Sequence, residues 1–488
     1  MPNSKNQDPV RGSKNAARNA RAAFFCRVAL AAAALCLVSV FLYTALRLRA
    51  EATPVSGEAR AEAIATYEKA HWGSVHPFPS ARELSSWSWT GSGGTAYPSA
   101  EAVSLDLNAR SAILVDASTG AILFEKNADE LIPPASMTKL VAMYTAFHAI
   151  ENGELSLDDE IAPPPESWAA NLPAGSSLMF LGPGQRLTVR ELLAGMAVVS
   201  GNDAATALAI TVAGSVDAFV ARMNAEVAEL GLVHTRFVEP TGLSERNATT
   251  AREFADFALV YLSRYPDALR EFHSRESLSY PLERNLAGSR ESPVDQEATN
   301  KLLGSLEGCD GLKTGFIWES GFNLALTANR NGNRFLSVTM GGPGSTTAEG
   351  SALRAKDGTL LMEWAFANFR TARPAKPEPV TVTVWKGEQG AIEAIPAGNE
   401  RFTVPVGALA FPDGSSAEAS IEYAVPRAMR SPVRAGDIIG SVKYSLGGTV
   451  VHEVPLVADR TVHTARFARR ALDHAAQAIA RSVFGIRG

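Results

Sequence analysis

Ser136 and Lys139 stand one helical turn apart in Pro133-Pro134-Ala135-Ser136-Met137-Thr138-Lys139-Leu140, and Lys313-Thr314-Gly315 follows far downstream. A serine hydroxyl is a weak nucleophile until a neighbouring base takes its proton. A lysine three residues further along a helix lies on the serine's face. If packing strips water from that amine, its neutral, basic form becomes accessible. Ser200-Gly201-Asn202 lies between the two elements in sequence. Three short motifs in this order point to acyl transfer through a serine ester.

The pattern S-x-x-K alone is cheap, since a chain of this length shows roughly one by chance at average composition. S-x-N is as cheap, Lys-Thr-Gly is rarer, and context carries most of the weight. The proline pair before Ser136 stiffens the entry into a helix expected over Met137 to Ile150. Lys313 falls in an apolar run, Gly311 to Trp318, that reads as a strand with a glycine at which a ligand can approach the backbone. Each residue also has a plainer reading: Ser136 as a helix-start cap, Ser200 and Asn202 as helix punctuation, Lys313 as a solvated strand lysine. Asp203 is expected to cap the helix that begins at Ala204. The eight histidines are scattered without nucleophile or ligand spacing.

With these motifs the chain resembles the serine-type D-alanyl-D-alanine carboxypeptidases, the low-molecular-weight penicillin-binding proteins (peptidase family S11). The likeness extends through Ile113 to Gly120, Val199 to Ala205, Phe237 to Leu243, Thr299 to Leu303 and Ser320 to Leu324, so it covers roughly residues 105 to 370. A weaker likeness from Ser431 to Leu456 matches that family's small β domain. The resemblance implies that Ser136 attacks the carbonyl between two terminal D-alanines of a peptidoglycan stem peptide. Lys139 would take the serine proton, and Ser200 would relay a proton toward the leaving amine. Asn202 would bond the substrate amide, Lys313 would supply positive potential, and Thr314 and Gly315 would contact substrate. The oxyanion would rest between the backbone N–H groups of Ser136 and Phe316. β-Lactams would be covalent inhibitors, and no metal or cofactor is implied. Related enzymes commonly carry a hydroxyl or histidine just after Lys-Thr-Gly, whereas Phe316 and Ile317 are apolar here. Two other functions share parts of this pattern. A β-lactamase needs a carboxylate that activates water, and no glutamate is placed for that in the sequence. A silent cell-wall scaffold would have no need of all three motifs.

The 488 residues, 46% apolar and 20% charged, leave room for two or three domains with ample cores. The net charge of −5 is uneven. Six Lys or Arg precede residue 28 against Asp8 alone, and six Arg follow Asp459 against Asp473 alone. With no central basic patch, nucleic acid is not an expected partner. Val28 to Leu46 is an apolar run of 19 residues, long enough to span a bilayer. The basic segment 1–27 would stay cytoplasmic and send the rest outward, placing the enzyme on the cytoplasmic membrane with its catalytic domain periplasmic. A cleaved leader is the rival, but the apolar stretch is long for one, and Arg47 and Arg49 crowd the cleavage zone. Of three cysteines, Cys26 and Cys36 belong to this segment and Cys309 stands alone, best read as a small filler beside the Lys313 strand.

The elements that must position the motifs follow from periodicity. Residues 47–104 read as a linker, with a short helix from Arg60 to Trp72 and a Ser/Gly/Trp-rich stretch from Ser85 to Ser99. Residues 105–372 read as the catalytic domain. It opens with a hairpin at Ser118-Thr119-Gly120, continues helical to about residue 300, and returns to strands before a helix from Ala352 to Phe369. The expected fold is α+β, one antiparallel sheet assembled from distant segments with a helical subdomain, as in the serine β-lactamase and DD-peptidase fold. Alternation in 378–458 gives a small all-β domain. Residues 461–488 form an expected amphipathic helix, its stripe Ala468, Leu472, Ala475, Ile479 and Val483, its polar side rich in arginine and suited to a membrane surface.

Overall fold

The computed structural model describes residues 9–49, 51–72, 105–286, 292–372, 377–398, 401–406, 420–446 and 449–484. The Ser85 to Ser99 stretch lies outside the described residues. Helices α1 (Pro9–Leu48) and α2 (Gly57–Trp72) precede the hairpin β1 (Ser111–Asp116) and β2 (Ile122–Lys126). Helix α3 (Thr138–Glu151) opens the helical lobe, which continues through α4 (Val189–Val198), α5 (Asn202–Ala213), α6 (Val216–Glu229) and α7 (Ala251–Arg264). Two small ladders edge this lobe: β3 (Glu160–Ile161) with β4 (Leu187–Thr188), and β5 (Ser277–Tyr280) with β6 (Val294–Glu297). Strands β7 (Cys309–Ile317), β8 (Gly321–Arg330) and β9 (Asn333–Gly342) then complete the main sheet, and α8 (Thr347–Asn368) follows.

The main sheet is antiparallel in the order β2-β1-β9-β8-β7, so segments two hundred residues apart pair directly. Both of its faces are covered. Along β1, Ile113 and Val115 point into the core of the helical lobe, while Ala112 and Leu114 point into a second core with Leu361, Met362 and Ala365 of α8. Period-two alternation thus divides one buried strand between two apolar layers. Eleven of the fourteen residues of α3 are buried, so this helix runs through the lobe's interior and brings its lysine with it. Local capping supports the lobe: Thr188 and Glu191 form a reciprocal capping box at α4, and Thr250 caps α7.

Chain-end strands build a separate sheet. After β10 (Phe369–Ala372) come β11 (Val380–Trp385), β12 (Ala391–Pro396), β13 (Phe402–Pro405), β14 (Ser420–Ala424), β15 (Ala428–Arg430), β16 (Ile438–Leu446) and β17 (Thr449–Ala458). Six of them align as β14-β16-β17-β12-β11-β15, while β10 pairs with β13. A buried carboxylate joins the two domains. Asp116, at the end of β1, accepts hydrogen bonds from Thr371 Oγ1 of β10 at 2.8 Å and Thr403 Oγ1 of β13 at 2.9 Å. Burial pushes its pKa up, and these bonds with those from the Ser118 and Thr119 backbone oppose the rise.

Two sequence expectations change here. The 47–104 span begins with a docked helix. Ala63 and Tyr67 of α2 pack on Ile395, Ala397 and Val457, and Arg60 pairs with Glu393. At the other end, the helix expected over 461–488 begins only at Phe467 and is named α9 (Phe467–Phe484). Before it, Val462 and Thr464 bridge to Val433 and Gly387. Of the expected apolar stripe, Ala468, Leu472 and Ala475 are exposed, so this face is not the one packed on the protein. Asp473, Ala476, Gln477 and Ala480 form the buried side. Sequence periodicity does not reveal this, because the buried side is made of small and polar residues.

Candidate active site

The site lies where β7, the edge strand of the main sheet, meets the start of α3. A short 3-10 turn, Ala135–Met137, carries Ser136 into α3. Ala135 is held at a φ of 51°, a left-handed conformation unusual for a residue with a Cβ. Two glycines allow the close approach. A Cβ on Gly315 would lie 2.5 Å from the Pro134 carbonyl oxygen, and one on Gly242 would lie 1.9 Å from that of Ala135. The close partner of Gly315 is therefore the chain's own Ser136 turn, where sequence reading had placed a ligand.

Lys139 Nζ is 3.1 Å from Ser136 Oγ, and it donates to Asn202 Oδ1 at 2.7 Å and to the Thr241 carbonyl oxygen at 2.5 Å. The lysine is completely buried. Burial pushes its pKa down to about 7, while the charges of Glu239 and Asp203 act in the opposite direction. Lys313, equally buried on β7, donates to the Thr314 carbonyl at 3.0 Å. Burial drives its pKa well below the ordinary lysine value, and the neighbouring cations Lys139 and Arg354 add to that.

Ser200 is 3% exposed, adopts a φ of 62°, and its Oγ makes no hydrogen bond among the described residues. Such a conformation costs about 1–3 kcal/mol and persists where the surrounding structure enforces it. Ser200 is not a helix cap: α5 begins at Asn202, and the residue before it, Gly201, has no side chain to offer. Asn202 turns its oxygen to Lys139. Asp203 accepts from the Ala204 N–H at 2.9 Å, as expected at the head of this helix, and has further partners. Its carboxylate accepts from the backbone N–H groups of Met179 at 2.8 Å and Leu181 at 3.0 Å, fastening that loop to the head of α5. Thr314 Oγ1 donates to Thr299 Oγ1 at 2.9 Å. Phe316, where a polar residue is common in the resembled family, stacks on Phe322 with ring centroids 4.2 Å apart and meets the edge of Trp318.

Sequence reading missed three contributors. Thr241 acts through its backbone oxygen, which no side-chain motif can announce. Glu239 holds the loop that presents this oxygen. It accepts from Thr241 N and Gly242 N at 2.7 and 2.8 Å, from Ser244 N at 3.2 Å and from Asn247 Nδ2 at 2.9 Å. Both of its oxygens are thus engaged by the loop. Arg354, from α8, donates to the Gly315 carbonyl at 3.2 Å, and burial lowers its pKa to about 10. Cys309 is half-buried with Sγ 3.8 Å from the Gly311 carbonyl, and burial pushes its thiol up to about 11, consistent with a filler.

An antiparallel sheet flanked by a helical lobe, with Ser136 and two buried lysines near its edge strand, is the architecture of the penicillin-recognising fold. Residues 97–344 match the model of the D-alanyl-D-alanine carboxypeptidase family, Peptidase S11, and residues 370–464 match that of the penicillin-binding protein 5 C-terminal domain. The chain belongs to the D-alanyl-D-alanine carboxypeptidase family. It is 32% identical over 384 residues to D-alanyl-D-alanine carboxypeptidase DacC of Escherichia coli, an alignment covering 78% of this chain and 90% of that protein. It is 30% identical to DacF of Bacillus subtilis over 74% of this chain and 87% of the relative. Among solved structures, penicillin-binding protein 5 of Haemophilus influenzae superimposes with a TM-score of 0.63 at 28% identity, covering 74% of this chain and 99% of the other. These relatives favour the carboxypeptidase reading over a β-lactamase or a silent scaffold.

Proposed function

We propose that the protein is a serine D-alanyl-D-alanine carboxypeptidase that removes the terminal D-alanine of peptidoglycan stem pentapeptides through an ester on Ser136. The observation that carries this reading is the buried Lys139 amine, 3.1 Å from Ser136 Oγ with its pKa near 7. A neutral amine at that distance takes the serine proton as Oγ attacks the scissile carbonyl. A general base of this kind contributes about 10²–10⁴-fold in rate. Ser200, with its unsatisfied hydroxyl, passes a proton to the leaving D-alanine nitrogen. Water then hydrolyses the ester.

The remaining residues bind and orient. Asn202 keeps Nδ2 for a substrate carbonyl while its oxygen steadies Lys139. Because β7 is the edge strand, alternate N–H groups face away from β8. The N–H of Phe316 joins that of Ser136 around the oxyanion, each donor contributing about 3 kcal/mol. Lys313 meets the terminal carboxylate, with Thr314 and Gly315 alongside. An incoming anion raises its proton affinity, so Lys313 becomes charged on binding and pushes Lys139 further toward its neutral form. Apolar α1 anchors the protein to the cytoplasmic membrane, with the catalytic domain on the outer side.

Mass spectrometry of D-alanine released from a defined pentapeptide, together with labelling by a fluorescent penicillin, tests the proposal. Release and a long-lived adduct, both abolished by Ser136→Ala, are expected. Rapid turnover of penicillin would identify a β-lactamase, and no release from the intact protein would leave only a binding role.

A further inference from the structure

The outer end of α1 is built into the folded protein. From Ala23 to Val38 the helix is bare, with Phe24, Leu30, Leu35 and Leu37 all more than half exposed. Its segment Ala23–Leu48, with a mean hydropathy of 2.3, is long and apolar enough to cross a membrane. Among the described side chains of α1, a stripe at the outer end is covered, by Trp385 of β11 and by Ala476 and Ala480 of α9. The stripe consists of Tyr43, Thr44, Arg47 and Leu48.

The centre of this contact is Asp473, fully buried on α9. Tyr43 Oη donates to Oδ1 at 2.7 Å, and Arg47 clasps both oxygens, Nε at 3.2 Å and Nη2 at 3.1 Å. A fourth bond comes from the Lys386 N–H at 2.6 Å. Arg47 Nη2 also donates to the Val384 carbonyl at 2.7 Å, and its guanidinium sits 5.6 Å from the centre of the Trp385 ring. Gly390 closes over it, because a Cβ there would fall 2.1 Å from Arg47 Nη1.

We propose that α1 is retained in the mature protein as a structural element, its outer end locked between the β domain and α9 by the buried Arg47–Asp473 pair. The proposal rests on the reading of α1 as an uncleaved membrane anchor and adds the lock that makes its outer end part of the fold. A leader peptide is discarded after export, so no part of the mature fold can depend on it. Cleavage beyond Leu48 would take away three of the four hydrogen bonds to Asp473 and leave a buried carboxylate without its cation. Removing one partner of a buried pair is strongly destabilising. The pair also answers a difficulty of topology. Arg47 follows the apolar span on its outer side, against the rule that keeps basic residues inside, and Asp473 neutralises it. Among the described residues, Arg469 is a further charge close to the Tyr43–Asp473 contact, and its guanidinium is bonded to the Glu388 carbonyl.

The test uses the full chain in bacterial membranes. Intact mass and N-terminal sequencing are expected to find the residues before Arg47 still attached, on a protein that resists carbonate extraction. In Arg47→Ala, tryptic cleavage after Arg470 is expected to run at least tenfold faster than in the wild type, with hydrolysis of a soluble D-alanyl-D-alanine peptide unchanged. A mature chain beginning at or beyond Leu48 would overturn the proposal even where the enzyme remains active. Equal tryptic rates would overturn the lock. A full-length chain washed off by carbonate would instead defeat the anchoring on which the proposal rests.

Discussion

The carbonyl oxygen of Thr241 lies closer to Lys139 Nζ than Ser136 Oγ does, 2.5 Å against 3.1 Å. The amine is therefore positioned by a backbone group on the 237–243 loop, a part in the site that no side-chain spacing announces. That loop is held in turn by Glu239, whose charge also favours the protonated form of Lys139. Replacing Glu239 by Ala frees the loop and is expected to lower the penicillin acylation rate about tenfold or more, since small displacements of a catalytic group are costly. Glu239→Gln keeps much of the shape but removes the charge, so the acid limb of the acylation rate should move to lower pH. A pH profile of acylation is the measurement. An unmoved limb would remove the electrostatic part of this account.

Lys139→Arg tests whether the amine must lose its proton. A guanidinium keeps its charge throughout the accessible pH range and cannot serve as a base. Acylation by a fluorescent penicillin should fall by about 10²–10⁴-fold in this variant. Retention of more than a tenth of the wild-type rate would assign the proton to another group.

Stability should carry the signature of the same burial. An unfolded lysine titrates near 10.4, whereas folded Lys139 titrates near 7. Between those values the unfolded chain binds the extra proton, so stability rises with pH across about 7 to 10. Lys313, depressed in the same direction, steepens that slope. The buried carboxylates Asp116 and Asp203 are shifted upward from the acid range, and their opposite effect falls at lower pH. Thermal melts at pH 7 and pH 9 should show a higher Tm at pH 9, with the difference reduced in Lys139→Met. An equal or lower Tm at pH 9 in the wild type would contradict the buried, neutral amine.

Gly315→Ala examines the contact between the edge strand and the serine turn. The added methyl meets the Pro134 carbonyl at 2.5 Å, with backbone on both sides, so β7 and the turn must separate. Acylation is expected to fall by about 10²-fold, the effect of roughly 1 Å of misplacement. Circular dichroism should remain that of the folded protein. Wild-type acylation in this variant would show that the spacing is not critical.

Much of this arrangement was legible in the chain. Ser136, Lys139 and Lys313 announce themselves because the chemistry uses side chains at fixed local spacing, and β1, β8 and β9 because buried strands are continuous apolar runs. The rest depends on long-range packing. Arg354 reaches the Gly315 carbonyl from a helix whose own pattern gives no sign of the site. Asp203 bonds the helix-head N–H of Ala204 as its sequence position suggests, but nothing local reveals that residues 179–181 also fold back onto it. Ala476 and Ala480 carry too little apolar surface to mark the buried side of α9, while the larger Leu472 faces out.

Asp116 draws half of its side-chain support from the junction with the following domain, through the hydroxyls of Thr371 in β10 and Thr403 in β13. Excising the catalytic half after residue 372 would keep the first hydroxyl and lose the second, stranding a carboxyl group in an interior from which water is excluded. The join between the two halves is thus a sealed seam, and an enzyme trimmed there for crystallisation or assay would start from a weakened β1.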